Sequence, residues 1–341
     1  YVLVCGLLLT FLLPKLRAIW GIALVLLLAG SMTSLSLWSY YQHQLLVDLV
    51  YPLLVTALLF TVLTTLNFKA EEKKARYIRT SFSRYLAPAL VERLVVDQES
   101  LDLGGEEREL SILFSDIRGF TSLSETMSPQ DLCTFLNEYL TPMTDAVMEH
   151  QGTVDKFIGD AVMAFWNAPL KTDHHSLLAC TTALQMIEAL DALNESWGKK
   201  GLPSIQIGIG VHRGVARVGN MGSQQRFDYT IMGDAVNLCS RLEGLTKMYG
   251  ADILVSSTVY EKVADSGLMF RMVDTVRVKG KSEPVVVYEL IGRGEPDQEL
   301  VAKLELHDKA MSAYAKGSFE NGAELFSSLQ ERFPEDKLYA L

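Results

Sequence analysis

The sequence predicts a mixed α/β (α+β) fold preceded by a strongly apolar N-terminal region, and three observations carry this. The first 68 residues are mostly apolar and hold three runs of membrane-spanning character. From residue 106 on, short apolar runs of strand period alternate with longer stretches of helical period. These follow in the order strand, helix, hairpin, helix, strand, which suggests a ferredoxin-like sheet covered by helices. At 341 residues the chain exceeds one ordinary domain, so two or three units are expected. A net charge of -10 argues against nucleic acid as the main partner.

The apolar runs span residues 1–14, 19–38 and 49–68. The first is too short to cross a bilayer alone. It begins at Tyr1 without Met or a charged leader, so the chain reads as a fragment of a longer protein, with a sensor domain expected upstream. Lys15 and Arg17 lie between the first two runs, and Lys69, Lys73, Lys74 and Arg76 follow the third. The loop 39–48 has no Lys or Arg, so positive-inside reasoning puts everything after residue 68 in the cytoplasm. Residues 69–105 read as a helical connector and signal transducer, with Pro88 opening a second short helix over 89–96. Its alternating Arg and apolar residues suit either pairing with a second copy or a passive spacer.

Residues 106–292 read as the α/β unit. An apolar strand, Leu110 to Phe114, carries one carboxylate, Asp116, at its end, and a glycine turn at Gly119 leads on to Thr121. Gly104 and Gly105, followed by two Glu, resemble a diguanylate cyclase signature but precede this strand, which makes coincidence the better account. Residues 129–149 have helical period, with Phe135, Tyr139 and Val147 on one face and Pro142 expected to bend or restart the helix. A hairpin over 153–166 turns at Gly159 and a second carboxylate, Asp160. A helix near 174–196 and an alternating strand from Ile205 to Val211 follow. Short strands at 228–232 and 252–255 flank a helix at 234–248, and a last strand pair, 271–278 and 284–291, turns at Lys279 to Lys281. Residues 293–341 are a polar linker and two helical segments resembling one tetratricopeptide-like unit, which must pack on a neighbour to bury its face.

A lone Asp ending a strand is most often a cap. Two carboxylates brought to one place by neighbouring strands instead suit a pair of divalent cations. The stretches FSDIRGF and DKFIGDAVMAFW strongly resemble the catalytic domain of the class III nucleotidyl cyclases. The resemblance covers about residues 80–292, and it is closest to membrane-bound bacterial adenylate cyclases. It implies conversion of ATP to cyclic AMP and pyrophosphate with two divalent cations, Mg²⁺ or Mn²⁺. Asp116 and Asp160 match the metal ligands, with the main-chain carbonyl of Ile117 as a further one. The turn through Gly119, Phe120 and Thr121, if it opens a helix, points amides at the phosphates.

Lys156 and Thr230 match the family's purine readers. An ammonium only donates and adenine N1 only accepts, whereas the Thr hydroxyl can accept from the 6-amino group. Many members have Asp where this chain has Thr230, a departure shared by a recognised subgroup. Asn237 and Arg241, four apart on one helical face, match the residues that orient the ribose and stabilise the transferring phosphoryl group. Lys279 matches the lysine that grips the terminal phosphates. The resemblance further implies a homodimer with two equivalent sites, in which one chain gives Asp116 and Asp160 and the other gives Lys156, Thr230, Asn237, Arg241 and Lys279. A guanylate cyclase and a silent nucleotide-binding domain are the rival readings. Asp155 and Asp234 read as structural, His174 and His175 as solvated polar residues, Trp166 and Trp197 as packing. Cys133, Cys180 and Cys239 read as buried thiols, and Arg118 is left between phosphate and a salt partner.

Overall fold

The computed structural model describes residues 2–12, 18–45, 48–82, 104–277 and 284–340. The chain divides into two compact units, 1–86 and 87–341.

The first unit holds α1 (Val2–Leu12), α2 (Ala18–His43) and α3 (Val50–Phe82). Trp20–His43 and Val50–Ala70 are long and apolar enough to cross a membrane, whereas α1, at 11 residues, is too short to do so. Leu9 and Leu28 are buried with Leu24, Val25, Phe60 and Leu63 around them, while Leu26, Leu27 and Leu58 face outward. The hydroxyls of Thr56, Thr61 and Thr65 donate to carbonyls four residues back, so these polar groups are satisfied within the helix. Helix α3 continues unbroken past residue 68, the expected end of the span, into the first part of the expected connector. Residues 83–103 of that connector, with Pro88 and the helix expected at 89–96, lie outside the described residues.

Among the described residues, the second unit is built on an eight-stranded sheet. In chain order its elements are β1 (Gly104–Ile117), α4 (Phe120–Ser124), α5 (Pro129–Glu149), β2 (Thr153–Ile158), β3 (Ala161–Trp166) and α6 (His175–Lys200). Then come β4 (Ile207–Gly222), β5 (Phe227–Met232), α7 (Asp234–Tyr249), β6 (Ile253–Ser256) and α8 (Ser257–Val263). β7 (Leu268–Val276), β8 (Val285–Arg293), α9 (Gln298–Ala315) and α10 (Phe319–Arg332) complete it. The sheet order is β2-β3-β1-β4-β6-β8-β7, with β5 paired to β4. Its first four strands stand in the order β4-β1-β3-β2, joined by α5 and α6, which is the ferredoxin-like arrangement expected.

From Leu110 on, strand β1 is buried on both faces, with successive side chains alternating between them. Leu113 and Ile117 enter a core with Phe135, Tyr139 and Met143 of α5 and Cys180, Ala183 and Leu190 of α6. Leu110, Ile112 and Phe114 face the other way, against Ala235 and Cys239 of α7. Helix α6 is itself apolar and long enough to span a membrane, but it is committed to this core.

Several expectations are corrected. Gly104 and Gly105 do not precede the first strand; they begin β1, paired with Asn220 and Gly219 of β4. A Cβ on Gly105 would stand 2.6 Å from the Val218 carbonyl oxygen, so glycine permits this close approach. Pro142 does not restart its helix, since α5 runs unbroken through it. His175 is not solvated: it is buried, with Nδ1 2.8 Å from the Ser111 hydroxyl. Cys133 is exposed, whereas Cys180 and Cys239 are buried as expected. The tail packs on β7 through Arg271, which bonds Asp336 and Glu289, and through His307, whose Nε2 donates to the Met272 carbonyl at 2.6 Å.

Candidate active site

Asp116 and Asp160 meet at the end of β1. The antiparallel register of β1 and β3 pairs Ser115 with Val162, which sets the β2–β3 turn beside Asp116. Gly159 (φ +68°) makes that turn, in a region where a side chain is strained. The Ile117 N–H donates to Asp116 Oδ1 and to Asp160 Oδ2, each at 3.1 Å. Burial first, then the adjacent Asp160 and the charge of Glu243, push Asp116 up to about 7. Among the described residues, no ion pair with a lysine or arginine involves either carboxylate.

That uncompensated charge fits a divalent cation. Among the described residues there is no group of three or more His, Cys, Asp or Glu arranged for a metal. The pair would supply two oxygen ligands and would leave the others to main chain, water or substrate. That is the usual manner in which Mg²⁺ is held. Glu243 was missed by sequence reasoning; it is one polar residue on a helix and carries no signal in isolation.

Helix α7 packs directly on β4 because Gly208 and Gly210 face it. A Cβ on Gly210 would lie 2.4 Å from the Glu243 nitrogen, and one on Gly208 would lie 2.1 Å from Thr246 Oγ1. The Cys239 thiol donates to the carbonyls of Ile112 and Gly210 at 3.1 and 3.2 Å. Leu238, Cys239 and Leu242 are buried, so the open face of α7 presents Asn237 and Arg241, both exposed.

Lys156 and Thr230 come together through a residue set aside as structural. The Thr230 hydroxyl donates to Asp155 Oδ2 at 2.6 Å, and Lys156 Nζ lies 3.3 Å from Asp155 Oδ1. Lys279 lies outside the described residues. Gly119 (φ +71°) caps the single turn of α4, where Phe120 is half-buried and Thr121 exposed. Arg118 has a salt partner: it bonds the Ala251 carbonyl at 2.6 Å and Asp252 at 3.3 Å. Trp166 and Trp197 are fully buried. A cavity of about 480 Å³ beside His175, Arg213 and Lys262 lies away from all these groups.

Residues 105–292 match the family model described as the adenylate and guanylate cyclase catalytic domain. The chain belongs to that family. An adenylate cyclase of Anabaena cylindrica is 41% identical over 221 residues, 63% of this chain and 42% of that protein. Adenylate cyclase 1 of Rhizobium meliloti (strain 1021) is 37% identical over 233 residues, 67% of this chain and 34% of that protein. The chain thus matches less than half the length of these curated relatives. Among solved structures, the adenylyl cyclase CyaB from P. aeruginosa is 34% identical with a TM-score of 0.52, covering 57% of this chain and 98% of that one. The guanylyl cyclase Cya2 also has a TM-score of 0.52 at 36% identity, with the same coverage.

Proposed function

We propose that the chain is a membrane-anchored adenylate cyclase that converts ATP to 3′,5′-cyclic AMP and pyrophosphate. The observation that carries this is the meeting of Lys156 and Thr230 in a family domain whose curated relatives at 41% and 37% identity are adenylate cyclases. The reaction joins the ribose 3′ oxygen to the α-phosphate, so its barrier lies mainly in positioning and in charge on phosphoryl oxygens.

Asp116 and Asp160, with the Ile117 carbonyl, would hold Mg²⁺ or Mn²⁺. Such cations, when bound, lower the pKa of an attacking hydroxyl and neutralise phosphate charge. Lys156 donates to adenine N1 and Thr230 accepts from the 6-amino group. Asn237 orients the ribose, and Arg241 offers a planar, permanently charged fork to the transferring phosphoryl group. Lys279 holds the terminal phosphates, and the amides at Gly119, Phe120 and Thr121 face them. Each site is shared by two copies of the chain, one giving the carboxylates and the other Lys156, Thr230, Asn237, Arg241 and Lys279. Helices α2 and α3 cross the inner membrane, and the catalytic unit, residues 106–292, faces the cytoplasm.

A second reading, guanylate cyclase, is favoured by the likeness to Cya2, at 36% identity against 34% for CyaB. The test supplies ATP or GTP with Mg²⁺ or Mn²⁺ to the full chain in membranes, with Asp160→Ala as control. Cyclic AMP formed by the parent and lost in the control supports the proposal. Cyclic GMP as the main product supports the second reading, and nucleotide binding without product would sink both.

A further inference from the structure

We propose that Asp155 is a positioning residue for base selection: it accepts the hydrogen bond of the Thr230 hydroxyl and steadies the ammonium of Lys156. Thr230 is thereby left as an acceptor towards the purine. This inference rests on the adenylate cyclase reading.

In a regular strand Asp155 and Lys156 would point to opposite faces. The pairing of β2 with β3 shifts register between Val154 and Lys156, so Asp155 sits at a bulge. A bulge re-aims a side chain, and bulges recur beside active sites. Here it turns Asp155 inward until its side chain is fully buried, while Lys156 stays 41% exposed. Strands β2 and β5 are not neighbours in the sheet, yet Asp155 on β2 reaches Thr230 on β5.

A hydroxyl has one proton. At 2.6 Å from Asp155 Oδ2 the Thr230 hydroxyl has committed it, so only lone pairs remain for a ligand. The 6-amino group of adenine donates into such a site, whereas guanine O6 would set lone pair against lone pair. Burial raises the Asp155 pKa, opposed by the Thr230 hydroxyl, by Lys156 and by the Ile231 N–H. Among the described residues, the buried Asp155 Oδ1 has no hydrogen-bond partner and lies 3.3 Å from the Lys156 ammonium. That arrangement draws the ammonium to one place beside Thr230.

The test measures kcat/KM for ATP and GTP with the full chain in membrane vesicles. In Asp155→Asn the new amide can donate to Thr230 and free its proton for guanine O6. The ATP-to-GTP ratio of kcat/KM should fall by about tenfold or more, and in a Thr230→Val background the same change should move the ratio much less. A parallel loss for both nucleotides, with the ratio unchanged, would overturn the role of Asp155 while leaving the adenylate cyclase reading intact. A parent chain that makes no cyclic AMP would overturn that reading, and this inference with it. A measurement on the parent chain avoids any folding defect. Inosine triphosphate, with an oxo group at position 6, should be a worse substrate than the purine ribonucleoside triphosphate with hydrogen there. Equal use of inosine triphosphate and ATP would overturn the proposal.

Discussion

Asp116 and Asp160 lean on one donor, the Ile117 N–H, while Glu243 adds a third negative charge nearby. Like charges held this close, with no ion pair from a lysine or arginine to Asp116 or Asp160 among the described residues, cost stability. Asp160→Asn should therefore raise the melting temperature measured in chelator, because it removes one member of a repelling pair. The same change should abolish cyclic nucleotide formation. A melting temperature that falls in Asp160→Asn would contradict the account of this pair as uncompensated charge. Asp155 presents the complementary case, since its buried charge lies against Lys156 and Thr230.

Among the elements, α7 and the tail are held in contrasting ways. Helix α7 needs bare backbone beneath it, so Gly210→Ala sets a methyl group against the Glu243 nitrogen with no flexible side chain to give way. Overpacking of this kind costs about 1–3 kcal/mol. The variant should melt at a lower temperature and lose kcat, because Asn237 and Arg241 ride on the displaced helix. Full activity in Gly210→Ala would show that the close approach of α7 does not matter to the site.

The tail is held by charge. Asp336 bonds Arg271 and lies 2.6 Å from Lys303, and although burial opposes it, its pKa is lowered to about 2. Glu289 shares Arg271, yet burial carries its pKa upward. For Asp336 the folded value lies below the unfolded one, so its stabilisation is present above about pH 4 and lost as pH falls towards 2. Asp336→Asn should loosen α9 and α10 at pH 7, read as faster amide exchange across 298–332. That difference from the parent should shrink in acid. A variant with unchanged exchange would show that the apolar contacts around Leu329, Phe333 and Tyr339 hold the tail without the ion pairs.

For the whole molecule, the proposal of shared sites has a direct consequence. Asp116→Ala and Arg241→Ala chains should each be inactive alone. Random pairing of equal amounts would place one intact site in every mixed dimer, so co-expression should recover about a quarter of parent activity. No recovery, with both chains present in the membrane fraction, would mean that each site is built within a single chain. Retention of the full chain in membranes after alkaline washing is expected from α2 and α3, whose outward faces carry Leu26, Leu27 and Leu58.

The chain alone determined most of the order of strands and helices, because those apolar runs match the period of the element they form, whereas the short helix α8 was not foreseen. It determined the hairpin that carries Asp160 through one glycine turn, and the i to i+4 spacing that puts Asn237 and Arg241 on one face of α7. It also determined that α2 and α3 are apolar enough to cross a membrane, since that property depends on local composition, whereas α6, also long and apolar enough, is claimed by the core. Tertiary structure decided what depends on distant partners. Glu243 reaches the carboxylate pair only because Gly208 and Gly210 admit α7 to β4. His175 is buried because Ser111, 64 residues away, receives it. Asp155 resembles any polar strand residue until a bulge turns it inward and β5 brings Thr230 across to it. Period and spacing encode which face a residue takes. Whether a polar group on that face finds water or a partner depends on how far apart strands fold together.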